Sequence, residues 1–365
     1  MASSFHDIKL KAVIDETAKA KSLVFDIPES LQDNYSYKAG QYLTLKFEID
    51  GEEFRRSYSL SSAPSENQWR VCVKRVEGGK ISNYVCDKLK AGDTISLMEP
   101  DGRFTFTSDP ENEGQYYLFA AGSGITPILA IAKEILETEP LSSVFLLYGN
   151  TSENEVIYKN EIENMITKYD GQFFMKHAYS DMVQKKSLLG SIFKKTSIDL
   201  PYFPGQIAKD TIKKFFSAFP MRNPQKASAY ICGPGSMNEN TKDLLVRNSM
   251  LKKQVFFESF GTADSGAKAG QEAGAESDVI VELLGEEIPL KIDASVTVLD
   301  ALLDAGYDPP HSCSSGACSS CISKLVEGKV TMDVTHALDE DDIEDGYILT
   351  CQARVATANV RIKYE

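Results

Sequence analysis

The sequence predicts a multidomain protein in which an antiparallel β-barrel, an α/β domain with a parallel sheet and a small α+β domain follow one another. Three observations predict this order. Short β-like stretches separated by Gly and Pro come first, apolar strands alternating with helices follow, and a short α+β segment lies behind a Gly/Ala-rich stretch. The 365 residues suffice for two or three domains.

The first domain, residues 1–112, is predicted from short β-like stretches with turn signals between them. Many short strands punctuated by Gly and Pro are typical of an antiparallel barrel. The predicted strands cover residues 10–14, 22–27, 42–49, 55–60, 70–75 and 94–98.

The second domain, residues 113–260, shows a different pattern. Apolar strands over 116–121, 144–148 and 229–232 are followed by helices over 126–136, 153–168 and 236–248, respectively. This alternation predicts a parallel sheet. The stretch 183–224 lacks a clear period, and we interpret it as an insertion that carries one helix over 207–219.

A linker is predicted over residues 261–277. Nine of its 17 residues are Gly or Ala, and none is large and apolar. If flexible, it would span roughly 20–25 Å. The third domain, residues 278–365, contains predicted strands over 279–284 and 288–292 and a helix over 297–305.

The net charge and the N-terminal sequence limit the kinds of partner and the cellular location that we expect. The chain carries a net charge of −14, and residues 278–365 hold 17 acidic and 6 basic residues, a net of −11. Nucleic acid is an unsuitable partner because phosphate binding needs a basic surface. The acidic segment is either plain solubilising surface or a surface that steers a basic protein. No apolar run reaches the ~20 residues of a membrane span, and no signal peptide is evident, so we expect a cytoplasmic protein without a membrane partner.

Four of the seven cysteines predict a metal centre. Cys313, Cys318, Cys321 and Cys351 follow the spacing C-x4-C-x2-C-x29-C, the plant-type pattern for a [2Fe–2S] cluster. Small residues between the first three let backbone N–H groups turn towards the sulfurs. Zinc is the alternative, although structural zinc sites usually use two close pairs of ligands.

Two segments of the first domain suit a flat, anionic cofactor. In Arg56-Ser57-Tyr58-Ser59 a guanidinium fork can bind an anion and an aromatic ring offers a platform. By itself this segment is equally an ordinary edge strand. The turn at Gly79 follows a strand and opens a helix, so it presents backbone N–H groups to a pyrophosphate.

Two segments of the second domain suit a dinucleotide. Gly122-Ser123-Gly124-Ile125-Thr126-Pro127 follows an apolar strand, and its glycines allow close approach of a ligand to the backbone. We expect Thr126 to cap the next helix and Pro127 to occupy its first position. Cys232, in Cys232-Gly233-Pro234-Gly235-Ser236-Met237, ends another predicted strand, where an isolated cysteine is otherwise more often core.

Together these motifs resemble the ferredoxin–NADP reductase superfamily with a C-terminal plant-type ferredoxin domain, which has a β-grasp fold. The resemblance implies bound FAD rather than FMN, a [2Fe–2S] cluster and NAD(P)H as substrate. It implies cofactor-binding roles for Arg56, Ser57, Tyr58, Ser59, Gly79, Lys80, Ile81, Ser82, Gly122, Gly124, Thr126, Pro127, Cys232, Gly233, Pro234 and Met237. It implies catalytic roles for Ser59, Cys232 and Glu258, and ligation of the cluster by the four cysteines.

The domain order resembles the reductase components of multicomponent oxygenases, and the C-terminal segments around Gly328 and Gly346 resemble those of phenylacetyl-CoA epoxidase reductase subunits. This implies electron transfer from NAD(P)H through FAD and the cluster to a partner protein, an oxygenase component. Alternatives are a general ferredoxin reductase or diaphorase and a redox-responsive binding protein. Thr151 and Asp181 stand where the superfamily often has an arginine for the NADPH 2′-phosphate, which favours NADH but leaves the choice open.

Overall fold

The first domain is a closed antiparallel barrel. The computed structural model of the chain describes residues 5–182, 202–260 and 276–364. Strands run in the order β4-β3-β6-β1-β2-β5, and a bridge between Leu60 and Val71 joins the two ends of this order. The elements are β1 (Phe5–Thr17), β2 (Ala20–Asp26), β3 (Tyr42–Ile49), β4 (Glu52–Ser59), β5 (Trp69–Lys74), α1 (Lys80–Lys88) and β6 (Thr94–Met98). All six predicted strands are therefore confirmed.

The second domain is a six-stranded parallel sheet with helices between its strands. The strand order is β10-β9-β8-β7-β11-β12. Its elements are β7 (Gln115–Ala121), α2 (Ile125–Thr138), β8 (Ser143–Asn150), α3 (Lys159–Lys168), β9 (Phe173–Tyr179), β10 (Tyr202–Pro204), α4 (Lys209–Ala218), β11 (Ala227–Cys232), α5 (Gly235–Arg247) and β12 (Val255–Glu258). The strand order reverses at β7, between β8 and β11, and ligands of such sheets bind at the carboxyl ends of the strands there.

Three local predictions for this domain need correction. Helix α2 begins at Ile125 after a 3-10 turn, so Thr126 is not its cap and Pro127 is its third residue rather than its first. The Thr126 hydroxyl donates to the Ser123 carbonyl instead (2.9 Å). The helix predicted over 153–168 begins only at Lys159, because Tyr158 has a φ of +61° and turns its ring into the core. The helix predicted in the insertion is confirmed as α4, whereas residues 183–201 lie outside the described residues.

The third domain has a mixed five-stranded sheet, ordered β14-β13-β19-β15-β17, with α6 against it, and is the predicted β-grasp domain. Its elements are β13 (Glu276–Leu283), β14 (Glu286–Asp293), α6 (Val298–Asp304), β15 (Ile322–Glu327), β16 (Val330–Met332), α7 (Glu340–Glu344), β17 (Tyr347–Leu349), β18 (Ala353–Val355) and β19 (Asn359–Lys363). The predicted linker is too long by two residues, since Glu276 and Ser277 already pair with β14. Residues 261–275 lie outside the described residues. Across the described parts of the chain, no helix is long and apolar enough to cross a membrane.

A buried polar network joins the barrel to the parallel-sheet domain. Arg70 of the barrel donates to both carboxylate oxygens of Glu161 (2.9 Å each), and Lys133 pairs with Glu161 and with Glu66 (3.0 Å). The Tyr158 hydroxyl donates to the Ser61 hydroxyl of the barrel (2.7 Å), and the Arg70 guanidinium lies over the Tyr158 ring. Because these charges are largely shielded from water, removing one of them leaves its partners uncompensated.

Replacing Glu161 by alanine is therefore expected to lower the free energy of unfolding of the first two domains by about 3 kcal/mol, the usual cost of breaking a buried ion pair. Urea unfolding followed by circular dichroism measures the change. Glu137→Ala is the matched control, since Glu137 pairs with Lys168 at the surface (3.2 Å) and its loss should cost less than about 1 kcal/mol. Equal losses in the two variants would contradict a buried network at this interface.

Candidate functional site

One cavity of about 610 Å³ gathers the predicted site residues of all three domains. Its wall includes the strand segment around Tyr58, the turn at Gly79, the nucleotide turn at Ser123 and the cysteine loop at Cys313 and Cys318. These segments lie as far apart in the chain as residues 56 and 318. The volume is within the range of ordinary small-molecule sites.

The predicted flavin segment lies on β4, and all four of its residues line the cavity. The Arg56 guanidinium donates to the neighbouring Arg55 carbonyl (2.7 Å), and no carboxylate of the described residues pairs with it. Burial raises the pKa of the Tyr58 phenol well above its ordinary value, so the ring is neutral. A guanidinium without an acidic partner beside a neutral aromatic ring fits a phosphate-bearing planar cofactor.

The predicted pyrophosphate turn is an uncapped helix N-terminus on the same wall. Gly79 precedes α1 without a side-chain cap, and the first N–H groups of a helix have no partner within it. A Cβ on Gly79 would meet the Ser82 hydroxyl at 2.6 Å, so a side chain would crowd this turn. The Lys80 ammonium pairs instead with Glu52 (3.1 Å), so it is the backbone of Lys80, Ile81 and Ser82 that is suited to bind phosphate.

The nucleotide turn lies at the carboxyl end of β7, where the strand order reverses. Gly122 has a φ of +54°, and a Cβ on Gly124 would lie 2.2 Å from the Cys232 carbonyl oxygen. The turn thus packs directly on the end of β11. Ser123 and Thr126 line the cavity, whereas Pro127 is a buried residue of α2 that does not reach it.

The Cys232 segment is brought to this turn, but its thiol is fully buried and does not line the cavity. Burial, and secondly the nearby Glu258 carboxyl, raise the pKa of the Cys232 thiol, which is therefore neutral. Pro234 precedes α5, and Met237 fills the space beside Gly233, where a Cβ would meet its methyl carbon at 2.3 Å. A direct contact of the thiol with nicotinamide stays a prediction.

Two of the three predicted catalytic residues are in contact. Ser59 at the end of β4 donates to Glu258 Oε2 (3.3 Å), and Glu258 stands opposite Cys232 in the register of β11 and β12. Burial raises the pKa of Glu258 to about 8, against the opposing effect of the Ser59 hydrogen bond. Near neutral pH this carboxyl therefore keeps its proton, and it is not an exposed carboxylate.

This shift predicts a pH dependence of stability. Between the ordinary carboxyl pKa of 4.5 and about 8 the folded protein holds a proton that the unfolded chain has released. Stability should therefore fall as pH rises through this interval, by an amount of the order of 5 kcal/mol at about 1.4 kcal/mol per unit. Glu258→Gln cannot ionise, so its thermal unfolding temperature should fall less between pH 5 and 9. Parallel curves for the two proteins would refute the shift.

The four predicted sulfur ligands, three on the cysteine loop and Cys351 after β17, form two pairs. Cys313 and Cys318 are within hydrogen-bonding reach of one another, and so are Cys321 and Cys351. Two thiolates at each of two irons are what a [2Fe–2S] cluster requires. The residues thus fit the cluster better than zinc.

Backbone groups of the loop already face the sulfurs. The N–H groups of Ser315 and Cys318 donate to Cys313 Sγ (3.4 and 3.3 Å). The Cys318 thiol and these N–H groups lower the pKa of Cys313, which favours the thiolate that binds iron. Hydrogen bonds of this kind tune the potential of a bound cluster.

Lys74 and Phe260 are among the residues on the cavity wall that were not predicted from the sequence. Lys74 ends β5 with its ammonium 3.5 Å from the position of a Cβ on Gly122, so it supplies a positive charge at the nucleotide turn. Phe260 lines the cavity beside Glu258, and 42 % of it is exposed. In both cases the available signal in the sequence was a basic or aromatic residue at the end of a strand or just beyond it.

Comparison with protein families assigns each of the three regions. Residues 7–106 match the oxidoreductase FAD-binding domain, residues 118–243 the oxidoreductase NAD-binding domain, and residues 281–356 the 2Fe-2S iron-sulfur cluster binding domain. The predicted cofactors FAD, [2Fe–2S] and NAD(P)H are thereby confirmed.

Relatives cover the whole chain. It is 32 % identical over 365 residues to a 1,2-phenylacetyl-CoA epoxidase subunit from Escherichia coli (strain K12), in an alignment that spans 100 % of this chain and 98 % of the relative. It is 33 % identical over 369 residues to the ferredoxin reductase component of 3-ketosteroid-9-alpha-monooxygenase from Rhodococcus rhodochrous, with 98 % and 96 % covered. The solved phthalate dioxygenase reductase shares the fold with a TM-score of 0.60 and 22 % identity over 99 % of this chain and 98 % of that one. The chain therefore belongs to the family of NAD(P)H-dependent FAD and [2Fe–2S] oxidoreductases that includes these oxygenase reductase components.

Proposed function

We propose that this chain is the reductase component of an oxygenase, which takes electrons from NADH and delivers them singly, through FAD and the [2Fe–2S] cluster, to the oxygenase protein. The relatives from Escherichia coli and Rhodococcus rhodochrous, both components of oxygenase systems, support this acceptor. An epoxidase of the phenylacetyl-CoA type is the first candidate, because that relative matches the chain from end to end.

The observation that carries the proposal is the shared cavity. Its wall joins the flavin strand, the nucleotide turn and the two cluster ligands Cys313 and Cys318. Such an arrangement provides for electron entry, storage and exit at one place. A binding protein that only sensed redox state would not need these three sites to meet.

The residues of the cavity have separable roles in this reaction. Bound FAD supplies the conversion of a two-electron donor into a source of single electrons. Arg56 and the N-terminus of α1 would hold its phosphates, and the Tyr58 ring would offer a platform for its flat part. Ser59 and the protonated Glu258 form a hydrogen-bonded pair on the side of the cavity where the nicotinamide would bind, and this pair would orient the nicotinamide ring. Lys74 attracts the nucleotide phosphates to the turn at Gly122.

NADH is the proposed nucleotide because the segments suited to a 2′-phosphate carry no arginine. The Asp181 N–H donates to the Thr151 carbonyl (3.0 Å), so both segments lie side by side at the carboxyl edge of the sheet. Glu153, the next charged residue, is engaged with Lys159 (2.6 Å). A carboxylate at this edge favours a ribose hydroxyl over a phosphate.

Anaerobic stopped-flow mixing with NADH and NADPH in turn tests the proposal. The flavin absorbance should bleach first and the cluster absorbance second, with NADH the faster donor. Failure of both nucleotides to bleach the flavin would refute an oxidoreductase and leave the redox-responsive binding protein.

A second experiment tests the acceptor. The oxygenase should be retained on the immobilised reductase, and NADH consumption should rise when the oxygenase and its substrate are both present. Rapid reduction of ferricyanide and cytochrome c without retention of any oxygenase would favour the general diaphorase instead.

A further inference from the structure

The cysteine loop of the third domain is seated on the barrel through hydroxyl groups. Ser312 precedes the ligand Cys313 and is only 2 % exposed. The Thr44 hydroxyl donates to the Ser312 hydroxyl (2.9 Å), and the Ser57 hydroxyl lies 2.6 Å from the same oxygen. Ser57, predicted from sequence as a cofactor residue, thus contacts the cluster loop as well as the cavity.

A second hydroxyl contact lies at the other end of the loop. Ser320 precedes the ligand Cys321, and its hydroxyl is 2.7 Å from that of Tyr42. Tyr42 donates to the Asp101 carboxylate (3.1 Å), so the serine is left to donate to the phenol oxygen. Tyr42 also lines the flavin cavity. We call these five residues, Tyr42, Thr44, Ser57, Ser312 and Ser320, the hydroxyl seam.

Two ion pairs flank the seam. Arg55 donates to both oxygens of Asp308 (3.0 and 3.2 Å), and Arg103 donates to both oxygens of Asp342 (3.0 and 2.8 Å). In each pair one side chain is more than half exposed (Asp308, Arg103) and its partner is largely buried (Arg55, Asp342). Water and salt therefore reach one side of each pair and weaken it.

The seam differs in chemistry from the interface between the first two domains. There a buried network of Arg70, Lys133 and Glu161 holds the barrel to the parallel sheet. The seam consists of small hydroxyls and its two flanking ion pairs are each open to water on one side, so these contacts contribute modest free energy and can exchange their partners for water. This composition suits an interface that closes and opens.

We propose that the hydroxyl seam is a reversible dock, in which Tyr42, Thr44 and Ser57 position the cluster loop for electron transfer from the flavin, and which must open before the acceptor protein reaches the cluster. The proposal rests on the proposed function. Each NADH yields NAD⁺, one proton and two electrons. The two electrons leave one at a time. The dock therefore opens twice for each nucleotide, and the acceptor is reduced by one electron each time.

The geometry makes docking on the barrel and on the acceptor mutually exclusive. His311, Ser312 and Ser320 surround the ligand loop and are each less than 10 % exposed in the docked state. An acceptor that needs this side of the loop competes with Tyr42 and Ser57 for the same serines. Its apparent affinity is therefore reduced by the fraction of time for which the dock is closed.

The variant Arg55→Glu/Arg103→Glu tests this on the holoenzyme, with cytochrome c as the acceptor. Two like-charge contacts should weaken docking about thirtyfold, equivalent to roughly 2 kcal/mol. We expect faster amide hydrogen exchange in residues 311–321, slower reduction of the cluster after the flavin, and a lower cytochrome c concentration at half-maximal rate. Arg55→Glu/Asp308→Arg should reverse the effect of Arg55→Glu alone by restoring an opposite pair.

The control variant Lys168→Glu/Lys226→Glu carries the same charge change on exposed pairs away from the seam and should leave all three measurements unchanged. Unchanged exchange and unchanged cluster reduction in the Arg55/Arg103 variant would overturn the dock. A half-saturating cytochrome c concentration that does not fall would overturn mutual exclusion. Bleaching of the flavin by NADH is the preceding step, and its loss in the unaltered enzyme would instead refute the proposed function.

Discussion

Replacing Cys351 by serine is expected to eliminate the iron–sulfur cluster and to lower NADH-dependent reduction of cytochrome c by more than about a hundredfold, since losses of even indirect ligand partners reach ~10–100-fold. Cys351 is the one ligand outside the loop. It follows β17 and pairs with Cys321, which precedes β15, where the ends of these two strands lie side by side. A serine hydroxyl resists deprotonation, so the second iron would lack a ligand. Iron and sulfide content, together with the visible spectrum, measure the loss.

The controls separate loss of the cluster from general unfolding. The flavin of the Cys351→Ser variant should still be bleached by NADH, because the first two domains contain the whole nucleotide and flavin wall other than the cysteine loop. Cys86→Ser changes a buried cysteine of α1 that does not line the cavity, and it should keep normal iron content. Full cytochrome c reduction by an iron-free Cys351 variant would mean that electrons leave directly from the flavin.

Local motifs made much of this architecture predictable. The spacing of the first three cluster cysteines, the glycines at residues 122 and 124 and the segment at Arg56 each encode a turn or strand whose chemistry is contained within about ten residues. The alternation of strands and helices likewise predicted the parallel sheet. Where a prediction failed, tertiary packing prevailed, as at Tyr158, whose ring is drawn into the core at the expense of a helical turn.

Contacts between distant segments were not predictable in the same way. Ser59 and Glu258 are 199 residues apart, and nothing near either residue indicates that one donates to the other. Ser320 looked like a small spacer between ligands, and nothing in the sequence marked Ser312, whereas the structure gives both of them hydroxyl partners on the barrel. Such pairs depend on how whole domains meet, which a single sequence does not encode in a local pattern.

Replacing Gly124 by alanine is expected to slow flavin reduction by NADH about a hundredfold, the usual consequence of misplacing reacting groups by about 1 Å. The new Cβ would lie 2.2 Å from the Cys232 carbonyl oxygen and 2.7 Å from its carbon. Both obstacles are backbone atoms, so the nucleotide turn and the end of β11 must separate. The nicotinamide would then lose its place beside the flavin, whereas the flavin wall on the barrel would stay intact.

Two glycines of the Cys232 segment, which packs on the turn at Gly124, provide graded controls. Gly235→Ala adds a methyl group with nothing within 4 Å, at the first residue of α5, and should leave the rate unchanged. In Gly233→Ala the shortest contact of the new Cβ is with the end of the flexible Met237 side chain (2.3 Å), which can move aside. We therefore expect an intermediate loss of the flavin reduction rate. Dithionite should bleach the flavin and the cluster in all three variants, which shows that the cofactors are bound. If Gly124→Ala and Gly235→Ala were reduced by NADH equally fast, the close packing of the turn on β11 would have no part in nucleotide oxidation.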